Sequence, residues 1–126
     1  MAFRTPLARV EGLGSAHSGV EHFWKERVTA AALVPLSIWL IVAGLGLAGH
    51  DRTDVLAYLH QPVHAVLMVL FVLASVMHMI LGLQVVIEDY IHGHGARMVL
   101  IVLVQFAGFA LAMAAIISLL VIAFGH

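Results

Sequence analysis

The chain has 126 residues, of which 63% are hydrophobic and 10% charged, and its mean hydropathy is +1.07. A soluble domain of that length buries one modest core and cannot hide so much apolar surface, so the composition excludes a water-soluble globular protein and points to a polytopic membrane protein solvated by lipid. A formal net charge of −1 gives no electrostatic ground for a nucleic-acid partner, and the absence of cysteine removes disulfides, iron–sulfur ligation and thiol catalysis.

Residues 1–27 form an N-terminal segment rich in charge, holding Arg4, Arg9, Lys25 and Arg27 together with Glu11, Glu21 and Glu26. These acids argue against a secretory or transit peptide, and the apolar block that follows is too long and begins too late for a signal core, so the segment is expected to be mature protein. From Val28 to Ala48 the chain is free of acids, Lys and Arg. That run reaches the roughly 20 helical residues needed to cross a hydrocarbon core. Pro35 is a candidate kink, while Gly44, Gly46 and Gly49 permit close packing on a neighbour. A polar connector, HDRTDVLAYLHQ, leads to a second apolar run over 62–87, which Pro62 suits as an opening because its missing N–H costs nothing there. A second connector, EDYIHGHGAR, turns at Gly93 and Gly95 into a third apolar run over 98–124. In lipid the backbone must satisfy itself within each segment, so the expected fold is an all-α membrane protein with three transmembrane helices at about 28–48, 62–87 and 98–124.

The basic residues set the expected orientation. Arg4, Arg9, Lys25 and Arg27 precede the first run and Arg97 lies in the second connector, whereas the first connector holds Arg52 alone. That imbalance places the N-terminus and the second connector in the cytoplasm and the C-terminus on the periplasmic side of a bacterial inner membrane.

Nine histidines outnumber the six Lys plus Arg. His78 stands about 14 Å short of the cytoplasmic end of the second helix, well within the hydrocarbon layer. At 100° per residue Asp89 falls within roughly 20° of it and Gly82 within about 40°, so one stripe carries a buried imidazole, a glycine below it, and an interfacial carboxylate next to Tyr90. Two readings stay open for His78. It is a haem axial ligand, with Gly82 leaving room for a flat macrocycle, or it bonds a carbonyl or hydroxyl on a neighbouring helix. Asp89 and Tyr90 likewise are either ordinary interfacial residues or a proton-exchanging site in which the phenol donates to a quinone carbonyl.

A histidine, ten intervening residues and then Asp-Tyr, on a three-helix frame, resembles the hydrophobic membrane anchor subunit of succinate dehydrogenase, the D-type partner of the cytochrome b subunit. The stretch GLGSAHSGVEHFWKERVTAAALVPLSIW resembles the alphaproteobacterial branch of that family. Together the matches cover residues 12–39 and 78–90, and the third helix agrees in length only. The resemblance implies that His78 is an axial ligand of a haem b shared with the cytochrome b subunit, and that Tyr90 and Asp89 belong to a ubiquinone site. It further implies an iron–sulfur subunit and an FAD-bearing flavoprotein as partners, with ubiquinone as substrate and no catalysis by the isolated chain. Arg27 is an interfacial anchor by default and a candidate contact to a haem propionate or the quinone. His17 and His22 are expected to be surface or subunit-contact histidines, and His92 and His94 loop residues or proton carriers. Two rivals stay open: a di-haem cytochrome b-type anchor, for which His64 lies about 21 Å and roughly 40° from His78, and a non-redox scaffold or transport subunit.

Overall fold

A computed structural model describes residues 6, 7 and 13–125, with side chains from residue 19 onward in the first helix. Arg4, Arg9 and Glu11, used above for orientation and processing, and the side chain of His17 lie outside the described residues. From residue 13 onward the described residues form four helices in succession: α1 Leu13–Leu47, α2 Arg52–His60, α3 Pro62–Tyr90 and α4 His94–Phe124. Three are long and apolar enough to cross a membrane, over Gly19–Leu47, Pro62–Tyr90 and His94–Phe124.

The helices outrun the apolar runs that announced them. α1 begins well before Val28, because helix propagation needs backbone hydrogen bonds rather than apolar side chains. The charged stretch supports itself through pairs four residues apart, Glu21 with Lys25 at 3.4 Å and His22 with Glu26 at 3.8 Å. It runs unbroken through Pro35 and stops at Gly49, which adopts φ +84°, a left-handed conformation that suits glycine at a helix C-terminus. The first connector contains a short helix of its own, α2. Asp51 caps it by accepting a hydrogen bond from the Asp54 amide at 3.3 Å, a local exchange typical of aspartate before a first turn. Gln61 then ends α2, and Pro62 occupies the first turn of α3 as its missing donor allows.

α3 is the middle element: α1 and α4 each pack along it and scarcely meet one another, while α2 lies against α3 and α4 at one end. Little is enclosed. Thr29, Gly108 and Ala112 are the buried positions among the described residues, and large apolar side chains such as Val34, Ile38, Leu45, Phe106 and Phe124 face outward. That inversion is what lipid demands, because acyl chains solvate Leu and Phe as well as a core does and helices associate through close packing instead. The α3–α4 seam shows the consequence. Gly108 and Ala112, one turn apart, let the two backbones approach. A Cβ added at Gly108 would meet Ile80 Cδ1 at 2.5 Å and Cγ1 at 2.7 Å. The glycines expected to serve as packing positions, Gly44 and Gly46, are exposed and would meet nothing within 4 Å, so close approach within the chain is made on α4 instead.

Short polar ties close the ends. His60 donates from Nδ1 to the Ile122 carbonyl at 3.2 Å, satisfying one of the last acceptors of α4, and Arg97 Nε donates to the Ile91 carbonyl at 3.0 Å across the α3–α4 turn. Gly108→Leu is expected to wedge α4 from α3 and lower the thermal midpoint of the detergent-solubilised protein, while Gly108→Ala, which needs only an Ile80 shift, costs about 1–3 kcal/mol. Equal melting curves for the leucine variant and the parent would show that the seam is not closed at Gly108.

Candidate functional site

His78 projects from α3 toward α1 and meets Thr29, the buried polar residue of the described chain at 6% exposure. The Thr29 hydroxyl lies 2.8 Å from the Lys25 carbonyl, 3.1 Å from the Glu26 carbonyl and 3.1 Å from His78 Nδ1. A hydroxyl has one proton and two lone pairs. The one hydroxyl proton serves either a carbonyl of its own helix or His78 Nδ1; given to the Lys25 carbonyl, the shortest of the three contacts, it leaves Oγ1 to accept from Nδ1–H. In that tautomer the lone pair lies on Nε2, which makes no hydrogen bond among the described residues. No group of three or more His, Asp or Glu side chains converges to hold a metal among the described residues either.

Of the two readings left open for His78, the structure shows the bond to a hydroxyl on a neighbouring helix. Gly82, one turn further along, is exposed with nothing within 4 Å of an added Cβ, so it leaves open space beside the imidazole.

The other candidate residues are placed unequally. Asp89 and Tyr90 end α3 and are exposed, Tyr90 at 77%, so carboxylate and phenol stand free of the other described residues at one end of the bundle. Their neighbour Glu88 accepts from Gln84 Nε2 at 3.0 Å. Arg27 is not brought to His78. It lies two residues from Thr29, about 200° around α1, and its guanidinium carbon sits 4.9 Å from the centroid of the Phe23 ring on the outward side. His22 is less superficial than expected: it shares the Thr29 face of α1, seven residues earlier, with its Nε2 buried and lacking a hydrogen-bond partner. His92 and His94 are exposed in the α3–α4 turn.

His64 has an occupation of its own. Its ring stacks on Tyr58 with centroids 3.6 Å apart and planes 9° apart, with Trp39 on α1 at 6.4 Å, and Nδ1 donates to the Tyr58 carbonyl at 3.0 Å. It thus ties α1, α2 and α3 together at the end of the bundle opposite Tyr90.

Thr29 was not singled out among the sequence candidates. His22, Glu26 and Thr29 fall at i, i+4 and i+7, a polar stripe on one face of α1 that a periodicity search reveals, but the pairing with His78 depends on how two helices are aligned.

A family model for the succinate dehydrogenase/fumarate reductase transmembrane subunit matches residues 1–124. The chain belongs to this family. The succinate dehydrogenase hydrophobic membrane anchor subunit of Paracoccus denitrificans is 35% identical over 119 residues, spanning 94% of this chain and 92% of that protein. The equivalents from Rickettsia bellii and Rickettsia conorii are each 36% identical, over 103 and 104 residues, with 82% of each chain covered. The resemblance drawn from the His…Asp-Tyr spacing is thereby borne out. With its three spanning helices, the chain is a multi-pass bacterial inner-membrane protein and a membrane anchor of succinate dehydrogenase.

His64→Ala should loosen α2 from the bundle at a cost of about 1–3 kcal/mol, through lost stacking and an unpaired carbonyl. Amide exchange over residues 52–60 should accelerate relative to the middle of α3. Unchanged protection there would remove the stack from the account of that end.

Proposed function

We propose that this anchor holds the flavoprotein and iron–sulfur subunits of a succinate:ubiquinone oxidoreductase at the membrane, lends His78 as one axial ligand to a haem b shared with a cytochrome b subunit, and contributes Tyr90 and Asp89 to the ubiquinone site. The observation that supports this reading is the Thr29–His78 hydrogen bond, which occupies Nδ1 and leaves Nε2 without a hydrogen bond among the described residues, one turn from the open surface at Gly82. Neutral imidazole of that kind is a standard axial ligand. With one donor on this chain, the second ligand comes from the partner, as a shared haem requires. Haem b, when bound, supplies a one-electron carrier between the partner subunits' centres and the membrane.

The remaining steps belong to side chains of this chain. Tyr90, exposed at the end of α3, donates its phenolic proton in a hydrogen bond to a quinone carbonyl, and Asp89 beside it exchanges protons with cytoplasmic water. Both lie beyond the reach of His78, eleven and twelve residues along the helix or about 17 Å, so they act on the quinone and not on the iron. Partner chains complete the pocket around them. The orientation with the N-terminus and the α3–α4 turn in the cytoplasm, and the C-terminus in the periplasm, follows from the basic residues of those segments against Arg52 alone in the first connector. Arg27 supports this as an interfacial anchor, its guanidinium over Phe23 on the outward face, where a partner chain can meet it. His64, engaged by Tyr58 and Trp39, supports one haem rather than two.

His78→Ala in the assembled complex is expected to abolish the b-type absorbance, while His64→Ala keeps one haem per flavin by pyridine haemochrome assay. A wild-type spectrum in the first variant would discard the ligand assignment. Tyr90→Phe should lower succinate:quinone turnover about tenfold, the worth of one hydrogen bond, with succinate oxidation by a soluble dye intact. Parallel loss of both activities would assign Tyr90 to assembly instead.

A further inference from the structure

The structure assigns Thr29 a role as the positioning residue of the haem ligand: its hydroxyl fixes the plane and tautomer of His78 and sets how strongly that imidazole donates to iron. The inference rests on the proposed ligation by His78 and goes beyond it.

Three distances carry it. The hydroxyl stands 2.8 Å from the Lys25 carbonyl and 3.1 Å from both the Glu26 carbonyl and His78 Nδ1. With its proton on the nearest of these, the Lys25 carbonyl, the hydrogen bonds run from imidazole to hydroxyl to backbone. Such a chain polarises along its length: a hydroxyl that donates to a carbonyl is a better acceptor at its own oxygen. The better acceptor draws on Nδ1–H and leaves Nε2 more electron-rich. Groups that hold the far nitrogen of a ligating histidine fix its orientation and raise its basicity in this way. Two features suit Thr29 to the task. It is nearly fully buried, so water does not compete for Nδ1–H. Its side chain is also held by its own helix at two carbonyls, so the acceptor is fixed before the imidazole arrives. Other titratable groups on that face of α1, His22 and Glu26, make no hydrogen bond to the imidazole among the described residues.

A richer donor favours ferric over ferrous iron. Removing the hydroxyl should therefore raise the haem midpoint potential and weaken haem retention. Loss of a residue supporting a metal ligand typically costs 10- to 100-fold in metal affinity. A tenfold loss falling on the ferric form alone is a rise of about 59 mV for a one-electron couple.

The test uses the complete complex carrying Thr29→Val, which keeps the shape and removes the acceptor, Thr29→Ala, which removes it without added bulk, and Thr29→Ser, which restores it. Potentiometric titration of the haem, haem per flavin and the amount of this chain per flavin are measured for each. The expected result is a raised potential or reduced haem content in both hydroxyl-free variants, with this chain still present at one per flavin, and parental values with serine. Parental potential and haem content in either hydroxyl-free variant overturns the inference. So does disappearance of this chain from the complex in both, which would assign Thr29 to helix packing. His78→Ala separates the two claims: full haem content there removes the ligand itself, whereas lost haem there with an unmoved potential in Thr29→Val removes only the positioning role.

Discussion

The hydrogen bond between Thr29 and His78 is, among the described residues, the one that joins two membrane-spanning helices. Its importance follows from the solvent. In hydrocarbon an unsatisfied polar group costs several kcal/mol, because no water is available to meet it. A threonine solves its own problem by bonding back to its helix, whereas the described partner of His78 lies on a neighbouring helix. Placing the hydroxyl against the imidazole gives one ring nitrogen a partner and leaves the other without a hydrogen bond among the described residues. The register of α1 on α3 thereby decides which nitrogen is occupied within the chain.

The two ends of the bundle are built on opposite terms. At the α2 end the chain satisfies itself: Asp51 caps α2, His60 meets an acceptor of α4, and Tyr58, His64 and Trp39 lock three helices together. At the other end Phe23, Trp24, Asp89 and Tyr90 are exposed. Aromatic and acidic groups so placed suit a headgroup interface, and they suit equally the surfaces of partner subunits. An anchor needs this asymmetry, because the end that holds itself together stiffens helices whose other end is left for partners to complete.

Much of this was legible in the sequence, and the omissions share a cause. The three spans were visible because a hydrocarbon core about 30 Å thick forces long runs without charge. The stripe of His78, Gly82 and Asp89 was visible because all three lie on one helix, where periodicity alone fixes angles. What escaped were features set by polar or inter-helical geometry: the extension of α1 through Glu21 and Lys25, helix α2 inside a polar connector, and the contact of Thr29 with His78. Gly44 and Gly46 were sensible packing candidates by composition, yet Gly108 occupies the close approach because Ile80 and Val76 happen to face it across the seam. Spacing along one helix is a local property, whereas the alignment of two helices is settled by every side chain between them.

On the proposed reading, the free nitrogen of His78 also links the stability of the anchor to its cofactor. Left empty, Nε2 is an acceptor without a donor in a medium that supplies none, a penalty of about 1–3 kcal/mol. A ligand that binds the folded bundle and not the unfolded chain removes that penalty and adds its own binding free energy to stability. The packing within the chain gives little to set against it, since Thr29, Gly108 and Ala112 are the buried positions among the described residues. On that reading the thin enclosure of the bundle and the unoccupied nitrogen of His78 belong together: the chain buries little by itself, and a ligand held at His78 would add the stability that its own packing does not supply.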